Sequence, residues 1–219
     1  MKIGSALLAV SSLLLVTPRA TAWLKVGAHA PEVTGITETG ARLDFAALYK
    51  AGNTLVYFFP QAGSPDCTAE ACSLRDSFAE FTRLGIAVVG VSHDSREAQL
   101  AFKAQNHLPF TLVADENGAI SKAFGVPNSW GTKLAKRQSF LVNNQGIIVW
   151  CDYKAAAATQ GPDVLKAVAW LMSGAARAPI DKDMTEAVKN QDNRTAVTME
   201  RARDAEPYAG KPQTQPTGR

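Results

Sequence analysis

Residues 57–76 read Y-F-F-P-Q-A-G-S-P-D-C-T-A-E-A-C-S-L-R-D, the end of a strand followed at once by a helix that opens on a cysteine. Thr54 to Phe59 is short, continuous and rich in aromatics, as expected of a strand covered on both faces. Pro60 ends it. Ala71, Leu74, Phe78 and Phe81 then recur at helical spacing, which predicts one helix from about Asp66 to Leu84, stopped by Gly85, with its apolar stripe on the sheet. Cys67 falls in the first turn of that helix, where unpaired backbone N–H groups favour the thiolate, the nucleophilic form.

Cys72 lies five residues further on. Five helical residues advance about 7.5 Å and rotate about 140°, so the two Cα atoms stand roughly 8 to 9 Å apart in an intact helix. A disulfide usually needs less than about 7 Å. A bridge therefore requires unwinding around Cys72, which predicts a switch between a closed dithiol form and a locally unfolded disulfide form. Free cysteines are often simply buried, but Pro60, Ser64 and Pro65 set Cys67 in a turn that opens a helix, and that context favours a reactive thiol.

Working outward, strand-length apolar runs alternate with helix-period segments, the pattern of an α/β layer fold. Ile86 to Ser92 is the next buried strand. Asp94, with Glu97 three residues later, is expected to cap a helix running to about Gln105. Phe110 to Ala114 reads as a strand, Gly118 to Phe124 as a short helix and Val126 to Lys136 as a loop. Ser139 to Val142 and Ile147 to Cys151 flank Asn143-Asn144-Gln145-Gly146 as a β-hairpin. Pro162, Val164, Val168 and Leu171 mark a last helix ending near Ser173.

The 219-residue chain is 46% hydrophobic and 20% charged, which suits one globular core and excludes collagen, a coiled coil or a wholly disordered chain. Lys2, the apolar run Ile3 to Val16 and Ala20-Thr21-Ala22 are expected to form a cleaved secretory signal peptide, residues 1–22. Pro18 closes the run short of the ~20 residues a membrane span needs. Cleavage removes Lys2 and Arg19 and leaves 197 residues with a formal net charge of +1 instead of +3. No run of basic residues remains, so nucleic acid and a lipid surface are not expected partners. The domain is expected to span 23–174, and residues 175–219, poor in large apolar side chains, to form a disordered tail.

P-Q-A-G-S-P-D-C resembles the peroxiredoxin active-site motif of Pro, three residues, Thr or Ser, two residues, Cys. T-A-E-A-C-S-L-R-D is similar to the resolving-cysteine segment of the PrxQ, or bacterioferritin-comigratory, subgroup, and the resemblance extends over about residues 24 to 173. It implies a thioredoxin-like α/β fold, a central mixed β-sheet flanked by helices. It further implies that Cys67 is the peroxidatic thiolate, Cys72 the resolving thiol, and Pro60, Ser64 and Arg137 the rest of the active site. Arg137 would stabilise the thiolate and bind peroxide. Ser64 would donate to a peroxide oxygen while accepting from a backbone group, and Pro60 would shield the pocket. The implied activity is reduction of hydrogen peroxide and organic hydroperoxides without metal, haem or flavin. A sulfenic acid on Cys67 would be resolved by Cys72, and a thioredoxin-like or other dithiol would restore both thiols. The leader implies export, to the periplasm, and the subgroup implies a monomer.

Two rivals keep the fold. A thiol–disulfide oxidoreductase would want C-x-x-C, and a copper-binding module would want cysteines three residues apart with a downstream His. The C-T-A-E-A-C spacing disfavours both. Cys151, beside Trp150, is expected to be a small packed hydrophobe. His93 is expected in a solvated loop, Arg75 in an ion pair with Glu70 or Asp76, and Glu70 near the pocket but behind Arg137 in importance. Trp130 is expected either to wall the pocket or to lie bare on the surface.

Overall fold

The computed structural model describes residues 24–173; the expected leader and tail lie outside the described residues. The chain divides into two compact units, residues 1–166 and 167–219, and of the second only residues 167–173 are described, the C-terminal turns of the last helix and the residue after it.

In chain order the elements are β1 (Thr34–Thr37), β2 (Arg42–Asp44), α1 (Phe45–Ala51), β3 (Asn53–Phe58), α2 (Pro65–Asp76), α3 (Phe78–Arg83) and β4 (Ile86–Ser92). There follow α4 (Arg96–Gln105), β5 (Thr111–Ala114), α5 (Ala119–Ala123), β6 (Gln138–Val142), β7 (Ile148–Asp152) and α6 (Gln160–Met172). The strands form one mixed sheet in the order β2-β1-β5-β4-β3-β6-β7. The central β3 and β4 run parallel, and β6 returns antiparallel on the other side of β3. This is the expected α/β arrangement, with the aromatic β3 at the centre of the sheet.

Side-chain alternation along β3 sorts the two faces. Val56 and Phe58 join Val89, Val91, Val113 and Phe140 in a core closed by Phe45 and Tyr49 of α1 and Ile120 of α5. Leu55 and Tyr57 point to the opposite face, where Tyr57 stacks on Phe59 and meets Phe110 edge-on, and Phe59 contacts Phe102 of α4. The register Phe58↔Gln138 brings the start of β6 to the carboxyl end of β3. That single pairing carries Arg137 to the loop that holds Cys67.

Several expectations change. The single helix from Asp66 to Leu84 is broken at Ser77 (φ −92°, ψ −2°) into α2 and α3. A residue distant in sequence packs against the break: Gly161 N–H donates to Ser73 Oγ at 3.1 Å, and a Cβ on Gly161 would lie 2.3 Å from both Ser73 O and Ser77 Oγ. The α4 cap is Ser95, whose hydroxyl accepts from Ala98 N–H at 3.3 Å, and Asp94 is used elsewhere. The hairpin β1–β2 and helix α1 were not read from the sequence, although Asp44 Oδ1 caps α1 by accepting from Ala46 and Ala47 N–H. Among the described residues no helix is long and apolar enough to cross a membrane.

Replacing Gly161 with alanine is expected to lower unfolding free energy by about 1–3 kcal/mol, because the backbone of Ser73 cannot move aside without shifting α2. Urea titration of the variant against wild type measures it.

Candidate active site

Pro65 and Asp66 occupy the first two positions of α2, and Cys67 follows them, 1% exposed. Proline at a helix start loses nothing, since its missing N–H would be unpaired there. Ser64 is the N-cap by position, yet its side chain does not cap. Its hydroxyl instead donates to the Gln61 carbonyl at 3.1 Å, rather than accepting from a backbone group. The first-turn amides of α2 are thus left without a capping side chain and face the sulfur's surroundings. Pro60 is half-buried in the turn between Phe59 and Gln61.

Arg137 reaches across from the start of β6 and donates from Nη2 to Cys67 Sγ at 3.3 Å. Its Nη1 donates to Glu70 Oε2. Glu70 stands one helical turn after Cys67, fully buried, and its second oxygen, Oε1, has no partner. Burial pushes the Glu70 carboxyl up to about 8, against the opposing pull of Arg137. The ion pair therefore only partly offsets the cost of taking a carboxylate out of water. Burial also works against the Arg137 charge, but Glu70 and Cys67 outweigh it and hold the guanidinium above its ordinary value.

Cys72 lies in the second half of the intact α2 and is half-buried; both it and the buried Cys67 are free thiols. The structure is the closed dithiol form. Cys72 Sγ sits 3.9 Å from Asn106 Oδ1, and Arg75 ties the same turn down by donating to the Asn106 carbonyl at 2.9 Å while pairing with Asp76 at 2.9 Å. Of the two partners expected for Arg75, the structure selects Asp76.

The cysteine loop has a support that the sequence reading missed. Asp94 Oδ2 accepts from Ala62 N–H at 2.7 Å and from Ser92 Oγ at 2.6 Å. Ser92 Oγ in turn accepts from Gln99 Nε2 at 2.7 Å. Asp94 thus fastens the Pro60–Ser64 turn to the carboxyl end of β4. The signal was a Ser-x-Asp run ending a strand, which resembles a helix cap equally well.

His93 is not a solvated loop residue. Its side chain is 11% exposed, Nε2 lies 3.0 Å from Ser121 Oγ, and Nδ1 meets the Lys133 carbonyl. Trp130 is 99% exposed, so it walls no pocket. Cys151 packs half-buried against the core, with burial pushing its thiol up. Among the described residues no cluster of His, Cys, Asp and Glu could hold a metal ion.

A buried cysteine at the head of a helix, bonded to an arginine on a thioredoxin-like sheet, defines a thiol oxidoreductase. The sequence profile of the AhpC/TSA family matches residues 26–151, more than half of the chain, and the chain belongs to that family of peroxiredoxins, which are peroxidases. It is 36% identical over 134 residues to the protein named peroxiredoxin bcp of Coxiella burnetii, covering 58% of this chain and 88% of that one. It resembles the crystal structure of peroxidoxin BcpB from Mycobacterium tuberculosis, with a TM-score of 0.62, 27% identity and 68% and 97% of the two chains covered. It also resembles the bacterioferritin comigratory protein of Xanthomonas campestris, solved in trapped intermediate and ligand complexes that address alkyl peroxide reduction. That match has a TM-score of 0.59 and 28% identity and covers 66% and 94% of the two chains.

The Glu70 carboxyl titrates higher in the folded than in the unfolded chain, so between the ordinary carboxylate range and pH ~8 the native state holds the extra proton. Stability from this group is full at low pH and falls as pH rises through 8, with a slope of at most ~1.4 kcal/mol per pH unit. Glu70→Gln is expected to remove that slope, read as a flatter dependence of urea midpoint on pH between 5 and 9.

Proposed function

We propose that the protein reduces hydrogen peroxide and small organic hydroperoxides with Cys67 as nucleophile and Cys72 as resolving thiol. The observation that carries this reading is the Arg137 contact at 3.3 Å to a buried sulfur at a helix start. A cation donating to sulfur stabilises the negative charge that attack requires. The guanidinium has further N–H donors for a peroxide oxygen, and the first-turn amides of α2 add more. Ser64 contributes its hydroxyl when the Gln61 carbonyl releases it, and Pro60 limits water at the sulfur.

In the first step the Cys67 thiolate attacks one peroxide oxygen and the O–O bond breaks. Sulfur is oxidised to sulfenic acid, and the leaving oxygen takes a proton to depart as water or an alcohol. In the second step the Cys72 sulfur attacks the Cys67 sulfur and expels water, forming the disulfide. Helix geometry keeps the two residues about 8 to 9 Å apart while α2 is whole, so α2 must open between the steps. An external dithiol then takes up the oxidation and restores both thiols. Residues 1–22 support export of the chain before this chemistry, which makes the reductant a dithiol of the periplasm.

Reduced protein is expected to consume one peroxide per chain and to yield a Cys67–Cys72 bridge on peptide mapping. Cys67→Ser should consume none, and Cys72→Ser should react once and stop at an oxidised Cys67. Arg137→Lys is expected to slow the first step by about 10²–10³-fold, the scale of losing a positioned charge-bearing donor. Full turnover by Cys67→Ser would end the proposal. For export, N-terminal sequencing of protein from a secreting host should begin at Trp23; an intact Met1 would contradict it.

A further inference from the structure

Tyr57 is fully buried, yet its hydroxyl has no hydrogen-bond partner. An unpaired buried hydroxyl destabilises a fold, and phenylalanine, present at the next two positions, would carry no such cost. The sequence makes room for this ring all the same. Tyr57 pairs in register with Gly90 of β4, and a Cβ on Gly90 would lie 2.7 Å from both Cζ and the hydroxyl oxygen of Tyr57.

The hydroxyl's surroundings are the catalytic groups. Tyr57 projects to the sheet face on which Phe59 and Phe110 pack. Its phenol is held well above its ordinary value first by burial and then by Glu70 and Cys67, with Arg137 opposing and Cys72 adding to the effect. One other active-site group is buried and incompletely bonded: Glu70, whose Oε2 is taken by Arg137 and whose Oε1 is free. Tyr57 pairs in register with Ser139 of β6, two residues after the Arg137 that holds Glu70, so an unpaired donor and an unpaired acceptor lie near the same guanidinium.

We propose that the Tyr57 hydroxyl donates to the free oxygen of Glu70 through one bridging water, and so acts as a positioning residue for the Glu70–Arg137–Cys67 group. The pairing satisfies both orphans. It gives the Glu70 carboxylate a second donor, which favours the ionised form. An ionised Glu70 keeps Arg137 anchored on its Nη1 side while Nη2 faces the sulfur. The charged groups that act on Glu70 are then Arg137 before β6 and Asp152 on β7, while Tyr57 on β3 is itself acted on by Glu70, Cys67, Arg137 and Cys72. Asp152 works in the opposite sense to Tyr57, raising the carboxyl.

The inference rests on the peroxidase reading only for its consequence, so the test has two arms. In the first, the protonated-carboxyl infrared band of Glu70 is assigned by its loss in Glu70→Gln and titrated in full-length wild type and Tyr57→Phe. Tyr57→Phe, which lacks the donor, is expected near 8 and wild type about one pH unit lower, the scale of one charge-assisted hydrogen bond. A ring-fluorinated tyrosine at 57, a stronger donor of nearly the same shape, should lower it. In the second arm, the inflection in the pH profile of single-turnover peroxide consumption should move with the band. An unmoved or lowered midpoint in Tyr57→Phe, or no Glu70 band in either protein, overturns the proposal. So does a gain in stability with an unchanged profile, which is what removing an unpaired hydroxyl would give. If wild type consumes no peroxide, the peroxidase reading fails while the infrared arm still decides the role of Tyr57.

Discussion

One cation serves two acids in this structure. Arg137 donates from one nitrogen to the Cys67 sulfur and from the other to the buried Glu70 carboxylate. A pair of unit charges about 4 Å apart is worth roughly 4 kcal/mol at an effective dielectric of 20, while removing each ion from water costs several kcal/mol. The two terms are of the same size, so a single guanidinium cannot cheaply hold two anions in a dry site. Burial accordingly pushes the Glu70 carboxyl up to about 8 in spite of the pull of Arg137.

That charge cluster rests on a helix that must also open. Besides Cys67 and Glu70, the buried side chains of α2 are Ala71 and Leu74. Burying one leucine is worth about 1.5–3 kcal/mol, so little apolar area fastens the Cys72 end of the helix to the sheet. The other ties are the Arg75–Asn106 bond, the Gly161 N–H bond to Ser73 Oγ and the partly exposed Arg75–Asp76 pair, which adds at most ~1 kcal/mol. The Cys67 end is held differently, by Pro65, by the Asp94 bond to Ala62 and by Arg137. The two ends of α2 are thus held by different kinds of contact, apolar burial and side-chain bonds around Cys72 and loop anchoring around Cys67.

Most of this was legible where the signal was local. The aromatic strand, the turn with Pro60 and Pro65, the cysteine at a helix start and the intact-helix separation of Cys67 and Cys72 all follow from spacing alone. The resemblance supplied Arg137, and the β3–β6 register explains how a residue 70 positions away reaches the sulfur. What escaped was set by distant packing. The break at Ser77 is packed closely by Gly161, 84 residues later. Asp94 reads as a cap until the fold shows Ala62 N–H beside it. The short hairpin β1–β2 offers too few residues for a period to emerge.

The missed residues share a location, and the location has a reason. Ser92, His93 and Asp94 sit at the carboxyl end of β4, the side of an α/β sheet where loops gather and ligands are bound. Here the end of β4 does not itself present the reactive atom. Asp94 fixes the backbone of the cysteine turn, and His93 ties the Lys133 carbonyl, four residues before Arg137, to Ser121 of α5. The turn that leads into Cys67 and the loop that leads into Arg137 are thus anchored to adjacent residues just past the end of the same strand, β4. A rigid strand end shared by two otherwise independent loops keeps Cys67 and Arg137 in register while α2 opens, since neither anchor lies on the part of the helix that must unwind.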